Sequence, residues 1–230
     1  MVLGASSGIG AAISRSLIEN RWRVLGIGSR DLDQWESIGA VERKKIDLSD
    51  FPRFRLYLDK ELSEENFPRL IINTVGRSSN RPLIQCKSED FDDVIAKNFK
   101  TPLVIQNEII KQATLKKVAT TSIMLSSMST NVVMVGNSLY AAAKSALSRA
   151  HAGMALEYHR YNHVFYTLSL SLVAESPMVL NLNASARESY EKRLFFPAVS
   201  QEELNGFIDY LATFRPMAIS GTEIKFGGLI

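Results

Sequence analysis

A tyrosine and a lysine four residues apart could act as an acid/base pair. Tyr140 and Lys144 lie in a stretch with helical spacing of its apolar residues, and residues four apart on a helix share one face. Tyrosine titrates at about pH 10, and a neighbouring ammonium group favours the phenolate and lowers that pKa. The pair could therefore transfer a proton near neutral pH. Many such pairs are only surface decoration, so the rest of the sequence must decide between the two interpretations.

Hydroxyl and amide side chains elsewhere in the chain could complete such a site. Ser126 and Ser127 follow the apolar residues 123–125, which places them at the carboxyl end of a predicted strand. A hydroxyl there could donate a hydrogen bond to a reacting carbonyl oxygen and stabilise the charge that develops on it. Asn98 lies within a predicted helix and could bind a water molecule that connects to Lys144.

A glycine-rich turn near the first residues indicates a nucleotide site. It follows a short apolar strand and opens a helix. Glycines permit a tight turn and close approach to a pyrophosphate, while the helix N-terminus offers unpaired N–H groups and the positive end of its dipole. An ordinary glycine turn is the alternative. The residues expected to contact a nucleotide here are Gly4, Ser6, Ser7, Gly8, Ile9 and Gly10.

The end of the second predicted strand indicates which nucleotide would bind. That strand ends in Gly28, Ser29 and Arg30, with no carboxylate at the first two positions to bind the adenosine ribose hydroxyls. A hydroxyl and a guanidinium suit a phosphate instead. This pattern favours NADP(H) over NAD(H). The alternative is that Arg30 is solvated and that Asp31 or Asp33 binds the ribose.

Two further strand ends carry polar and small residues. One follows Ile46 and the other follows the apolar residues 70–72. Ligands of α/β proteins bind at the carboxyl ends of parallel strands, so both segments are candidates for the same site. Each could also be a plain turn. The residues concerned are Asp47 and Leu48 at the first end, and Asn73, Thr74, Val75 and Gly76 at the second.

Strand-like and helix-like segments alternate along the chain, which predicts parallel strands joined by helical crossovers. Predicted strands are Val24–Ile27, Leu70–Asn73, Ser122–Leu125 and Phe165–Leu172, and predicted helices are Ala11–Glu19, Phe91–Gln112 and Tyr140–Tyr158. The 230 residues require no more than one domain, so we expect a single domain over 1–230. The polar segment 181–197 is either a substrate lid or a surface connection.

From the composition we expect a protein that binds no nucleic acid, has no internal disulfide, holds no metal and does not contact a membrane. The net charge of +3 is too small to imply nucleic-acid binding, and the single cysteine excludes an internal disulfide. His159 and His163 could bind a metal on a helix, but no acidic or cysteine cluster completes a site, so no metal is predicted. With no apolar run near the roughly 20 residues that span a bilayer and no signal-peptide pattern, we expect a cytoplasmic protein without membrane contact.

Taken together, these motifs resemble the short-chain dehydrogenase/reductase family in its classical form. The turn of residues 4–10 resembles the family's cofactor turn, Asp47 its adenine-contacting aspartate, and residues 73–76 its Asn-Asn-Ala-Gly segment. Ser176 lies in a stretch that resembles the one passing the nicotinamide. The family's catalytic tetrad is matched in order and approximate spacing by Asn98, Ser127, Tyr140 and Lys144. Ser127 is preferred to Ser126 because the family's serine usually stands thirteen residues before the tyrosine.

The resemblance implies a fold and a mechanism. The fold would be α/β, a Rossmann-type doubly wound parallel sheet flanked by helices on both faces. Tyr140 would exchange the substrate proton, Lys144 would lower its pKa and bind the nicotinamide ribose, Ser127 would polarise the carbonyl, and Asn98 would anchor a water in the proton relay. The function implied is NAD(P)(H)-dependent interconversion of a ketone and a secondary alcohol, as a carbonyl or 3-oxoacyl reductase, in a homodimer or homotetramer.

Departures from the family pattern motivate a second hypothesis. Leu3 stands where the family usually has threonine, and Ser171-Leu172 stands where it usually has Pro-Gly beside the nicotinamide. A side chain at Leu172, where glycine lets the backbone come close, could weaken or alter nicotinamide binding. The alternative is therefore a catalytically weak or inactive nucleotide-binding protein that acts as a sensor or assembly partner. An isomerase or dehydratase with transient hydride transfer is a third hypothesis.

Overall fold

A computed structural model describes residues 1–36, 39, 41–132, 134–174, 176, 188, 192–194 and 197–228. Its centre is one sheet of seven parallel strands. The strands are β1 (Val2–Leu3), β2 (Leu25–Gly28), β3 (Glu42–Lys45), β4 (Leu70–Asn73), β5 (Thr121–Ser127), β6 (Val164–Leu170) and β7 (Thr222–Phe226). All four predicted strands are confirmed: β4 has the predicted bounds, and the ends of β2, β5 and β6 differ from the prediction by one or two residues.

The strand order is β3-β2-β1-β4-β5-β6-β7. The chain runs outward from β1 to β3, then returns to the other side of β1 with β4. In open α/β sheets the crevice at such a reversal is where ligands bind. Here it lies between the carboxyl ends of β1 and β4, where Leu3 pairs with Asn73.

Helices cover both faces of the sheet. They are α1 (Gly8–Glu19), α2 (Phe51–Lys60), α3 (Ser88–Ile95), α4 (Thr101–Leu115), α5 (Ser138–Tyr158) and α6 (Gln201–Phe214). Short 3-10 turns occur in the connections, at Leu32–Gln34, Leu83–Gln85, Met128–Thr130, His159–Tyr161 and Met217–Ile219. None of the described helices is both long enough and apolar enough to span a bilayer.

Alternating side chains of the central strands build one core on each face. Because successive residues of a strand point to opposite sides, Val2 packs in the layer of α1 and α6, whereas Leu3 packs in the layer of α2 and α4. Ile72 and Ile71 of β4 divide in the same way. Such near-continuous apolar strands are typical of a parallel sheet covered on both faces. The predicted Rossmann-type α/β fold is therefore confirmed.

The helix predicted over Phe91–Gln112 is interrupted. A π-helical turn, Ala96–Lys100, separates α3 from α4. Pro102 has no N–H, so it cannot donate the hydrogen bond that the carbonyl of Asn98 would accept in a regular α-helix. Separately, the side-chain amide of Asn98 donates a hydrogen bond to the carbonyl oxygen of Val94, at 3.1 Å. Turns of this kind occur often at functional sites. Of the predicted lid, most of 181–197 lies outside the described residues.

Candidate active site

A cleft of about 920 Å³ opens at the carboxyl ends of β1, β2, β4, β5 and β6. Its size is within the range of about 300–1,000 Å³ that is typical of ligand pockets. The nucleotide-site predictions that line it are Gly4, Ser6, Ser7, Gly8, Ile9, Gly10, Ser29, Arg30, Asp47, Leu48, Thr74, Val75, Gly76 and Ser176. Ser127, Tyr140 and Lys144 line the same cleft. Of the predicted residues, Asn73 and Asn98 are not among its lining.

The glycine-rich turn passes closely over the sheet. Ser7 is the N-cap of α1 but makes no side-chain capping bond, so the first N–H groups of the helix depend on partners from outside the turn. A Cβ at Gly10 would collide with the carbonyl oxygen of Gly4 and would lie 2.8 Å from Thr74 Oγ1. That hydroxyl donates to the carbonyl oxygen of Leu3, at 2.8 Å. Thr74, the residue that follows β4, thus packs against the turn, and the shape of the turn fits a bound diphosphate.

The connection after β2 is braced against this turn. The indole Nε1 of Trp35 donates to the carbonyl oxygen of Arg30 at 3.1 Å, and the buried ring packs against β2. Glu36 then accepts a hydrogen bond from the backbone N–H of Gly8 through Oε1, at 2.7 Å. Its backbone N–H donates to the carbonyl oxygen of Ser6, at 3.2 Å. Glu36 was not predicted from the sequence, because a cap supplied from 28 residues away leaves no local signal.

Positive and negative side chains lie together at the end of the cleft that is formed by the residues after β2 and β3. Ser29 and Arg30 line the cleft, as predicted. Asp31, the alternative ribose ligand, forms an ion pair with Lys45. At the next strand end, Asp47 accepts hydrogen bonds from the backbone N–H and the hydroxyl of Ser49, at 2.9 and 2.7 Å. These bonds hold the pKa of Asp47 below its usual value, so this carboxylate is ionised at neutral pH.

Tyr140 and Lys144 lie one turn apart on α5, and both are buried in the cleft. The ammonium group of Lys144 donates a hydrogen bond to the carbonyl oxygen of Leu125, at 3.1 Å. Burial lowers the pKa of Lys144 to about 8, because desolvation penalises its charged form. A Cβ at Gly76 would lie 3.0 Å from both Lys144 Nζ and Asn98 Oδ1, so glycine permits this close approach.

The two serines at the end of β5 have different surroundings. The hydroxyl of Ser126 lies 2.7 Å from that of Ser148 in the interior. Ser127 is half-buried, and its Oγ accepts hydrogen bonds from the backbone N–H and the hydroxyl of Ser129, at 3.2 and 2.9 Å. Because Ser127 Oγ is the acceptor in both bonds, the hydrogen of its own hydroxyl can be donated to a group in the cleft.

The two predicted asparagines support the cleft from outside its lining. Asn73 donates to the carbonyl oxygen of Pro102 at 3.0 Å and accepts from the N–H of Val75 at 3.2 Å, which ties β4 to α4. Asn98 Oδ1 accepts from the N–H of Arg77, at 2.8 Å. Asn98 lines a second cavity of about 240 Å³, and Arg77 and Lys97 line both cavities.

Nothing in the described part of the chain forms a group of three metal-binding side chains. His163 is buried and lies within 3.0 Å of the hydroxyls of Thr114 and Thr120. His151 bridges Ser122 and Thr167 in the interior, and desolvation lowers its pKa to about 3. Both histidines therefore act as neutral hydrogen-bonding groups of the core.

Sequence comparisons match this chain to known enzymes. A family model described as short chain dehydrogenase covers residues 1–186. A 3-oxoacyl-[acyl-carrier-protein] reductase FabG of Buchnera aphidicola subsp. Acyrthosiphon pisum is 25% identical over 237 aligned positions, which cover 99% of this chain and 94% of the relative. A 2-dehydro-3-deoxy-D-gluconate 5-dehydrogenase of Formosa agariphila is 24% identical over 170 positions, 70% of this chain and 64% of the relative.

Solved structures share the fold. A short-chain dehydrogenase/reductase from Serratia marcescens BCRC 10948 aligns with a TM-score of 0.85 at 22% identity, covering 98% of this chain and 94% of that one. A 4-hydroxyisoleucine dehydrogenase complexed with NADH and succinate aligns with a TM-score of 0.81 at 21% identity, covering 99% and 97%. Since the family model matches well over half of the chain, the protein belongs to the short-chain dehydrogenase/reductase family of NAD(P)(H)-dependent oxidoreductases.

Proposed function

We propose that the protein interconverts a ketone and a secondary alcohol, as a carbonyl or 3-oxoacyl reductase that prefers NADP(H) to NAD(H). One observation carries the proposal. The buried pair Tyr140 and Lys144, the hydroxyl of Ser127 and the glycine-rich turn of residues 4–10 line a single cleft. A proton donor, a carbonyl-polarising group and a phosphate cradle are what carbonyl reduction requires of the protein.

The residues of this chain would supply the proton and position the substrate. In the reductive direction, the hydroxyl of Tyr140 gives its proton to the carbonyl oxygen as that oxygen gains charge. The ammonium of Lys144 stabilises the phenolate that remains. Ser127 donates a hydrogen bond to the same oxygen with the hydrogen that no described residue accepts. A bound nicotinamide supplies the hydride, as is usual for cofactor enzymes. Asn98 would anchor a water that returns the proton to Lys144.

The nucleotide preference rests on Ser29 and Arg30. Both line the cleft, and Arg30 is the residue there whose guanidinium suits the 2′-phosphate of NADP(H). The carboxylate of Asp31 is engaged by Lys45, which speaks against its binding the ribose hydroxyls. Asp47 and Leu48 would flank the adenine, and Thr74, Val75, Gly76 and Ser176 the remainder of the dinucleotide.

The substrate class is supported by the relatives alone. The similarity to the Buchnera 3-oxoacyl-[acyl-carrier-protein] reductase extends over 99% of this chain. It favours a 3-oxoacyl or similar carbonyl substrate over other classes. A homodimer or homotetramer, a cytoplasmic location and a lid within 181–197 remain proposals that follow from the family resemblance and the sequence.

The rival hypothesis of a weak or inactive nucleotide-binding protein rested on Leu172. Among the described residues that line the cleft are Leu170, Ser171 and Val173, but not Leu172. Leu172 is half-buried and does not contribute to the described cleft lining, which speaks against its side chain obstructing a nicotinamide there. This observation favours the active enzyme.

Binding and turnover test the proposal separately. We expect NADPH to quench or enhance protein fluorescence at lower concentration than NADH, and purified protein to oxidise NADPH with a 3-oxoacyl thioester. Tyr140→Phe should lower kcat by about 10²- to 10⁴-fold, the usual contribution of a general acid. Nucleotide affinity should persist in this variant. Equal turnover by Tyr140→Phe would refute the catalytic assignment, and no binding of either nucleotide would favour the non-catalytic rival.

A further inference from the structure

The turn that follows Ser127 is attached to the last strand of the sheet. This 3-10 turn, Met128–Thr130, has Ser127 as its N-cap. The hydroxyl of Thr130 lies 2.9 Å from the carbonyl oxygen of Ser127 and 3.0 Å from Oε1 of Glu223, so it is a donor within reach of both. Glu223 stands on β7, at the edge of the sheet and 93 residues further along the chain. A carboxylate of the outermost strand therefore holds the turn that begins at the active-site serine.

Glu223 is itself anchored to the interior of the protein. Its Oε1 accepts a second hydrogen bond, from the hydroxyl of Ser169 on β6, and Ser169 is fully buried. Ser169 lies two residues beyond Thr167, the partner of Glu223 in the sheet, so the two side chains stand on one face. Hydrogen bonds to a carboxylate are about twice as strong as bonds between neutral groups. Thr130 is thus tied to a side chain that is held in place.

The position of the turn determines how Ser127 is presented to the cleft. Ser129, the middle residue of the turn, donates to Ser127 Oγ from its hydroxyl at 2.9 Å and from its N–H at 3.2 Å. These two bonds restrict the directions in which Ser127 can donate its own hydrogen. Because Thr130 follows Ser129 directly, a shift of Thr130 moves both donors and changes the orientation of the Ser127 hydroxyl.

We propose that Glu223 is a positioning residue that, through Thr130, holds the Ser127 hydroxyl in the orientation that polarises a substrate carbonyl. This rests on the catalytic function proposed above. Neither Glu223 nor Thr130 is among the described residues that line the cleft, so both act on the reaction through the turn and not by contact with substrate. Misplacement of a reacting group by about 1 Å can lower a rate about 10²-fold, so a small shift of the turn has a measurable effect.

Variants of Glu223 and Thr130 test the two links of this chain. Glu223→Ala removes the acceptor, and we expect kcat with a 3-oxoacyl thioester to fall about tenfold, while substrate KM and the Kd for NADPH change by less than about twofold. Glu223→Gln is the matched control, because its amide oxygen still accepts, and it should retain kcat to within about threefold. Thr130→Val keeps the branched shape without the hydroxyl and should lower kcat as Glu223→Ala does.

A double-mutant cycle with Ser127→Ala shows whether Glu223 acts through Ser127. Once the Ser127 hydroxyl is absent there is nothing left to orient, so adding Glu223→Ala should change kcat by less than about twofold. The same loss in both backgrounds would overturn the inference, because a general structural effect of Glu223 is independent of Ser127. Unchanged kcat in Glu223→Ala or in Thr130→Val would overturn it as well.

These outcomes are distinct from failure of the proposed function. If the unmodified protein reduces no 3-oxoacyl thioester or other ketone with either nucleotide, the proposed function fails, and the role of Glu223 fails with it. If the unmodified protein is active and the cycle shows independent effects, the positioning role alone is wrong. Thermal unfolding of every variant establishes that the compared proteins are folded.

Discussion

The hydroxyl oxygens of Ser126 and Ser148 lie 2.7 Å apart in the interior, where each is the hydrogen-bond partner of the other. Ser126 therefore has a structural use for its side chain, although it stands beside Ser127 at the end of the same strand. Ser127 accepts from Ser129 and keeps its own hydrogen for a group in the cleft. This difference between neighbours supports the assignment of Ser127 as the carbonyl-polarising residue.

Alanine at each position should separate the two roles. Ser127→Ala removes a donor to the developing oxyanion, and we expect kcat to fall about 10²- to 10³-fold. It also takes away the acceptor of the Ser129 N–H and hydroxyl, so unfolding free energy should fall by about 1–3 kcal/mol, and the loss of kcat is what distinguishes it from Ser126→Ala. Ser126→Ala leaves the buried hydroxyl of Ser148 unpaired, which costs about 1–3 kcal/mol of unfolding free energy while kcat is retained. Steady-state kinetics and denaturant unfolding on both variants make the comparison. The opposite pattern would exchange the assignments.

The low pKa of Lys144 predicts an alkaline limit to activity. Burial lowers that pKa to about 8, so the amine is charged below this pH and neutral above it. In the proposed mechanism the ammonium stabilises the phenolate of Tyr140, and this contribution is present at neutral pH and is lost as pH rises through about 8. We expect kcat/KM, which reports the free enzyme, to decline above about pH 8.

A matched variant identifies the group responsible. Arginine stays protonated throughout this range. The pH profile of any residual activity of Lys144→Arg should therefore not show the decline in kcat/KM above about pH 8. If the same decline persists in Lys144→Arg, another group is responsible for it. A wild-type kcat/KM that stays constant up to pH 10 would contradict the lowered pKa of Lys144.

The site could be predicted where its signals are local. Tyr140 and Lys144 share a helix face by spacing alone, and the glycines of the first turn stand together in the sequence. Glu36 could not be found in this way, since its use depends on a loop that Trp35 folds back onto Gly8. Long-range capping is a property of packing and leaves no periodicity to detect.

The strands and helices were predictable for the same reason, because apolar periodicity reflects burial on one or both faces. The interruption at Asn98 was not predicted, because the apolar pattern continues across it. Its cause, the missing N–H of Pro102, is visible in the sequence, but proline is also tolerated in the first turn of a helix. Only the structure shows that α4 begins at Thr101 and makes that proline an early helical residue.

Thr74 is expected to maintain the cofactor turn. Its hydroxyl donates to the carbonyl of Leu3 at 2.8 Å and lies against Gly4 and Gly10. Thr74→Val keeps the shape and removes the donor, so nucleotide Kd should rise about 2- to 10-fold, the equivalent of one neutral hydrogen bond. Thr74→Ser restores the donor and should restore binding. Titration with NADPH measures both, and equal affinities for the valine and serine variants would show that the bond is not what matters.

Leu172 provides the direct test of whether the departure from Pro-Gly disables the site. The carbonyl oxygen of Leu172 accepts from Val199, at 2.9 Å, and its side chain is not part of the cleft lining. We expect Leu172→Gly to bind NADPH within about twofold of the unmodified protein and to lose about 0.5–1 kcal/mol of stability from added backbone freedom. Val173→Ala is the contrasting variant, because Val173 is buried and does line the cleft, so its truncation should weaken binding. Titration with NADPH and denaturant unfolding are measured on both variants. A gain of tenfold or more in nucleotide affinity from Leu172→Gly would mean that the leucine obstructs the cofactor. That result would restore the non-catalytic hypothesis.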